Sequence, residues 1–179
     1  MRRFIVTGAP GAGKTSIVGA LTGVTTVAEA ATDVIAAEQA RGVAEPWTDP
    51  GFADRVVGLQ RRRQLAATGP VQVYDRSPLC TLALAVYSGL SPSDLLLAEV
   101  DRAASIYDRR VLLVRPIGFV TPTAARRISY ADSLHFEHVH RQVYRERGYE
   151  LVEVPAGPAA ERVALVAGYL AAWTLTRIE

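Results

Sequence analysis

Gly8-Ala9-Pro10-Gly11-Ala12-Gly13-Lys14-Thr15 fills every fixed position of the pattern G-x-x-x-x-G-K-[ST], the signature of a loop that cradles phosphates. Glycines at 8, 11 and 13 let the backbone turn tightly and bring successive N–H groups up to phosphate oxygens, where a side chain would collide. Lys14 then sets an ammonium against the β- and γ-phosphates, and Thr15 offers its hydroxyl to Mg²⁺. The flanks agree with the motif. Arg3-Phe4-Ile5-Val6-Thr7 reads as a strand entering the loop, and Ser16-Ile17-Val18-Gly19-Ala20-Leu21 leaves it with helical spacing, the strand, loop, helix order the motif requires. The expected nucleotide site is Gly8, Ala9, Pro10, Gly11, Ala12, Gly13, Lys14, Thr15 and Ser16. Lys14 is the only lysine in the chain.

The 179 residues, 49% hydrophobic and 21% charged, are enough for one domain with a substantial core. A formal net charge of +2 gives no field that would gather nucleic acid, although the sequence pI is about 8.9. No apolar run approaches the ~20 residues of a membrane span. A single cysteine, Cys80, excludes an internal disulfide. The first strand begins within three residues of Met1, so no signal peptide is expected and the cytoplasm is the expected location. A homodimer is compatible with this composition.

Strand-like runs alternate with longer helical stretches. Arg3 to Thr7, Thr25 to Glu29, Val71 to Asp75, Val111 to Arg115 and Leu151 to Val154 read as strands. Helices are expected over Phe52 to Ala67, Leu79 to Tyr87, Ser93 to Ser105, Ala131 to Arg147 and Pro158 to Trp173, with Asp33 to Arg41 and a Gly/Pro-bearing stretch ahead of the first. That alternation predicts an α/β fold with a five-stranded parallel sheet between helical layers. Ligands then gather at the carboxyl ends of the strands, which directs attention to Gly8, Glu29, Asp75 and the segment after Arg115.

Asp75 ends an apolar strand beside the loop, where Mg²⁺ needs anionic ligands; capping the next helix is its other reading. Arg76 follows, able to hold phosphoryl or acceptor oxygens with its planar fork. Glu29 at the edge of the second strand could accept the proton of an attacking hydroxyl, with Asp33 sharing that site, or could be an ordinary acid near a helix start. Arg126 and Arg127 lie in a Gly/Pro-bounded segment, about 117–131, from which a lid could lower a cation onto the transferred phosphate. Trp47, Phe52 and Gln60 fall in an inserted stretch able to stack on and hydrogen-bond a ring-shaped acceptor, although core or lid packing suits the two rings better. His135, His138 and His140 do not converge as metal ligands would and read as a polar helix face. Cys80 reads as a small buried residue, and Arg61-Arg62-Arg63 as a solvated face.

The order of these features resembles the P-loop AAA-type ATPase and kinase domains related to the ribosylnicotinamide kinase domain of NadR and, more distantly, deoxynucleoside and thymidylate kinases. The resemblance runs over nearly the whole chain. It rests on Gly8 to Thr15, Glu29, the Phe52 to Gln60 helix, Asp75-Arg76-Ser77, Arg126-Arg127, and the close from Gly148 to Pro155 and Glu161 to Val163. It implies a three-layer α/β/α P-loop NTPase with an arginine-bearing lid. It also implies that Glu29 lies near an acceptor hydroxyl and that Asp75-Arg76-Ser77 organises magnesium and substrate. The chain departs from the family pattern after Glu29, where no basic residue appears before Arg41. It contains no asparagine, so a guanine-reading N-K-x-D element is absent and ATP is the expected nucleotide. The expectation is a phosphotransferase moving phosphate from ATP, with Mg²⁺, to a hydroxyl of a small molecule, nucleoside- or nucleotide-like by resemblance. A metabolite or antibiotic kinase, and a regulatory nucleotide-binding module with no small-molecule acceptor, are the alternatives.

Overall fold

The structure is a computed structural model and describes residues 1–119 and 128–175. Its five strands are β1 (Arg2–Thr7), β2 (Thr25–Val27), β3 (Val71–Asp75), β4 (Arg110–Val114) and β5 (Glu150–Val154). All pair in parallel, in the order β2-β3-β1-β4-β5. The helices are α1 (Lys14–Ala20), α2 (Ala31–Ala40), α3 (Phe52–Ala66), α4 (Pro78–Tyr87), α5 (Asp94–Ala103), α6 (Tyr130–Glu146) and α7 (Ala159–Leu175), with a 3₁₀ turn at Pro46–Thr48. The expected five-stranded parallel sheet is present. One strand is shorter than expected: β2 stops at Val27, so Glu29 stands two residues beyond its end, in the loop that enters α2.

The apolar strands are hydrophobic on consecutive residues because both faces are covered. In β1, Ile5 packs into the cluster formed with α4, α5 and α6, whereas Phe4 and Val6 pack into the cluster formed with α1 and α7. Successive side chains of a strand point to opposite faces, so one apolar run fills both cores. A smaller cluster joins Val34 and Ile35 of α2 to Phe52 and Val56 of α3. It anchors the inserted stretch to the edge of the sheet beyond β2.

The sheet has β1 at its centre, with β3 on one side and β4 on the other. The strand order reverses direction there, and such switch points open a crevice at the carboxyl ends of the strands. The Gly8 to Thr15 loop leaves β1 at that point.

Local signals fix the helix ends. Ser93 Oγ accepts the N–H of Leu96 at the start of α5, and Ser129 Oγ accepts that of Asp132 at the start of α6. Gly148, at φ 74°, lets the chain turn out of α6 into β5.

Candidate active site

The loop is shaped by two approaches that only glycine permits. Gly8 has φ 139°, and a Cβ there would lie 2.3 Å from the carbonyl oxygen of Val114 at the end of β4. Gly13 caps α1 at φ 86° with no side chain over the helix end, which leaves the first-turn N–H groups facing the loop's concavity. Lys14 is almost fully buried and folds back so that its Nζ donates to the Ala9 carbonyl at 2.7 Å. Burial pulls its pKa from 10.5 to about 7, the Arg76 charge adds to that pull, and Asp75 and Glu29 oppose it.

Asp75 ends β3 and is buried. Its Oδ2 accepts the Thr15 hydroxyl at 2.6 Å, and its Oδ1 is buried with no hydrogen-bond partner. Asp75 does not cap α4, whose N-cap is Ser77. A buried carboxylate oxygen with nothing to bind is costly. A hard cation beside the Thr15 hydroxyl fits that pair of oxygens, and Mg²⁺ characteristically takes one or two protein ligands and completes its shell with phosphates and water. In keeping with that, no cluster of three or more His, Cys, Asp or Glu side chains is disposed to hold a metal among the described residues.

Arg76 is the one non-glycine residue at positive φ, 75°, among the described residues. An L-residue there carries backbone strain of order 1–3 kcal/mol. The surroundings over-determine it: Arg76 N–H donates to the Val6 carbonyl at 3.0 Å, and Arg76 Nε pairs with Glu29 Oε1 at 2.5 Å. The backbone twist aims the side chain across the sheet edge at the loop before α2. Burial opposes the Arg76 charge, but Glu29 and Asp75 hold it protonated. Burial alone would raise the Glu29 carboxyl, yet Arg76, Lys14 and the Thr32 hydroxyl outweigh it and keep the group below its ordinary 4.5.

The other predicted residues divide. Gln60 reaches the same small cleft, lined also by Arg63, Asp75, Arg76 and Ser77. Asp33 does not share the Glu29 position; it pairs with Arg63 instead. Trp47 and Phe52 line a second, shallow pocket with Thr81, Leu84 and Leu90, and Phe52 is 3% exposed in the α2–α3 cluster. Phe52 is a core position, and Trp47 packs part-exposed against the same cluster. Arg126 and Arg127, and most of the expected lid, lie outside the described residues.

Two readings need correction and a third needs an addition. Arg61-Arg62-Arg63 is not simply a solvated face: Arg61 pairs with buried Glu99 at 2.7 Å. Arg63 donates to the carbonyls of Ala28 at 3.0 Å and Glu29 at 2.5 Å. Arg63 therefore fixes the backbone that carries Glu29. His140 does not lie on a polar face. It is fully buried, with Nδ1 on the Phe136 carbonyl at 2.9 Å and its pKa pulled to about 3, first by burial and then by the Arg76 charge. Cys80 is buried as expected, but it sits in a polar knot under the loop. Its sulfur is 3.1 Å from Thr7 Oγ1 and 3.2 Å from the Tyr144 hydroxyl, which also meets Ser77 Oγ at 2.7 Å.

The site thus joins a phosphate loop, an oxygen pair suited to Mg²⁺, and a half-buried carboxylate–guanidinium pair at one sheet edge. Comparison with known proteins agrees with that architecture. The family model described as AAA domain matches residues 3–162. Among solved structures, the chain is similar to deoxyadenosine kinase from M. mycoides, solved with the products dCMP and a flexible dCDP bound. The TM-score is 0.63 at 13% identity, over 96% of this chain and 99% of that chain. At that identity the likeness is one of fold. No curated protein matches the sequence, and the narrower likeness to ribosylnicotinamide kinases finds no support in these comparisons. No helix among the described residues is long and apolar enough to cross a membrane.

Proposed function

The chain belongs to the AAA domain family, and on that premise we propose that it is an ATP-dependent phosphotransferase acting on a hydroxyl of a small, nucleoside-like molecule. The observation that carries this reading is the Arg76–Glu29 pair, 2.5 Å apart, in one electrostatic neighbourhood with Lys14 and Asp75. A module that only bound nucleotide would need the loop and the oxygen pair. It would not need a strained arginine aimed at a half-buried carboxylate beside them.

In this reading Lys14 releases the Ala9 carbonyl and turns to the β- and γ-phosphates. Mg²⁺, when bound at Thr15 and Asp75, would neutralise charge on the phosphate chain. Arg76 orients the acceptor and holds Glu29. The acceptor oxygen forms a bond to the γ-phosphorus as the bond to the β–γ bridging oxygen breaks, ADP leaves, and the hydroxyl proton passes to Glu29. A carboxylate held below 4.5 is a weak base, which suits a loose transition state in which the proton leaves late. Glu29 serves first to align the hydroxyl.

Charge balance supports an uncharged acceptor over a phosphorylated one. The two cleft arginines among the described residues are each matched: Arg76 by Glu29 and Arg63 by Asp33. The fold neighbour is named as a deoxyadenosine kinase, which supports a nucleoside as the first class to test. Incubation with MgATP and a panel of nucleosides, nucleotides and other hydroxyl-bearing metabolites, read by mass, should give a monophosphorylated nucleoside and ADP. Tight ATP binding with no phosphorylated product across that panel would favour a regulatory nucleotide-binding module and overturn the kinase reading.

A further inference from the structure

Arg162 lies in the first turn of α7 and is 5% exposed. Its Nη2 donates to the carbonyl of Arg115 at 2.9 Å, and its Nε is buried with no hydrogen-bond partner. A Cβ on Gly13 would lie 3.2 Å from Arg162 Nη1, so the guanidinium rests against the phosphate loop itself. The side chain comes from the far end of the sequence to reach the residue that caps α1.

Among the described residues, no carboxylate forms an ion pair with Arg162. Arg76, Arg63, Arg102 and Arg115, by contrast, each face a carboxylate. Burial lowers the Arg162 pKa with no neighbouring carboxylate to oppose it. A cation in the first turn also sits at the positive end of the helix dipole, the end that favours anions. A buried, uncompensated charge at the wrong end of a helix weakens the free protein. The loop it touches is built to receive an anion.

We infer that Arg162 is a binding residue of the donor site, a second cation that the loop presents, with Lys14, to the phosphate chain of the nucleotide. This goes beyond the motif, which assigns the phosphates to Lys14 and backbone amides, and it rests on the reading of Gly8 to Thr15 as the ATP site. The bound phosphates supply the negative charge that the fold withholds. A guanidinium with an uncommitted Nε–H and an Nη1 at the loop can give a charge-assisted bond that a neutral side chain cannot.

The test compares the native chain with Arg162→Met, which keeps the length and apolar stem, and Arg162→Lys, which keeps the charge. Two quantities are read for each: the melting temperature of the free protein and the affinity for MgATP by calorimetry. Arg162→Met should melt at the native temperature or above and bind MgATP at least about tenfold more weakly, with Arg162→Lys between the two. If Arg162 instead staples α7 to β4, the free Met variant loses more than about 3 °C. That fall, with or without a change in affinity, overturns the assignment, as does unchanged affinity in a variant of native stability. A native chain that binds no MgATP overturns the ATP-site reading as well, so the two failures are told apart by the native measurement alone.

Discussion

The Thr15 hydroxyl donates to Asp75 Oδ2 at 2.6 Å across sixty residues of sequence, tying the first turn of α1 to the end of β3. Both oxygens face the phosphate loop, and the second Asp75 oxygen is buried without a partner. Neither residue needs the other for the fold, since Thr15 sits in a helix and Asp75 in a sheet whose backbone bonds are already made. Asp75→Asn should therefore fold normally and lose turnover by at least ~10²-fold, the scale of one missing charge-stabilising group. A magnesium titration checks it: the variant should need far more Mg²⁺, and an unchanged magnesium dependence would remove Asp75 from the metal site.

Glu29 should set the acid limb of the rate. Its folded pKa is depressed, so the ionised form persists until the pH falls through a value below 4.5, and activity is lost only beneath that. Arg76→Gln removes the largest of the contributions that oppose burial, so the acid limb should move up. Glu29→Gln should bind ATP like the native chain while transfer slows by ~10²–10⁴-fold. Rate profiles between pH 4 and 8 for the native chain and Arg76→Gln decide the matter; an acid limb that stays put in the variant separates Arg76 from Glu29.

Lys14 gives ATP binding a proton signature. Its pKa in the free protein is lowered to about 7 by burial and by Arg76. Phosphate oxygens favour the ammonium and raise that value, so the complex holds a proton that the free protein at pH 7 to 8 partly lacks. MgATP binding should take up a fraction of a proton there, and affinity should weaken as pH rises above 7. Calorimetry in buffers of different ionisation enthalpy measures it directly; zero uptake at pH 7.5 would mean that Lys14 is fully charged before ATP arrives.

Arg63 holds the carbonyls of Ala28 and Glu29 from α3, so its loss should move Glu29 without touching the phosphate loop. Arg63→Met is expected to lower turnover by about 10- to 100-fold, the cost of a small misplacement of a reacting group, and to leave MgATP affinity within about threefold. A matching loss of ATP affinity would show instead that the damage spreads to the loop.

What the sequence made legible is what local spacing encodes. The loop, its flanking strand and helix, and the Asp75-Arg76 step all lie within a few residues of a strand end, where polarity changes abruptly after an apolar run. Glu29 was legible for the same reason, although β2 stops at Val27, too early for its position to be exact. Arg63 was not legible because it binds backbone carbonyls, which leave no trace in residue identity. Arg162 looks like any helical arginine until the packing of α7 against the loop is known. His140 shares a helix with His135 and His138, and only burial by the facing elements tells it from them.

The central place of β1 has a consequence for how such a protein can change. Asp75, Arg76 and Glu29 stand on the β3–β2 side of that strand, and Arg115 and Arg162 on the β4–β5 side. In the proposed reading, Glu29 and Arg76 on one flank face the acceptor, Arg162 on the other faces the phosphate chain, and Asp75 stands between them, bound to the loop through Thr15. On that reading, changes confined to the loop before α2 and to α3 could alter the acceptor while β4, α7 and the loop keep their hold on the nucleotide.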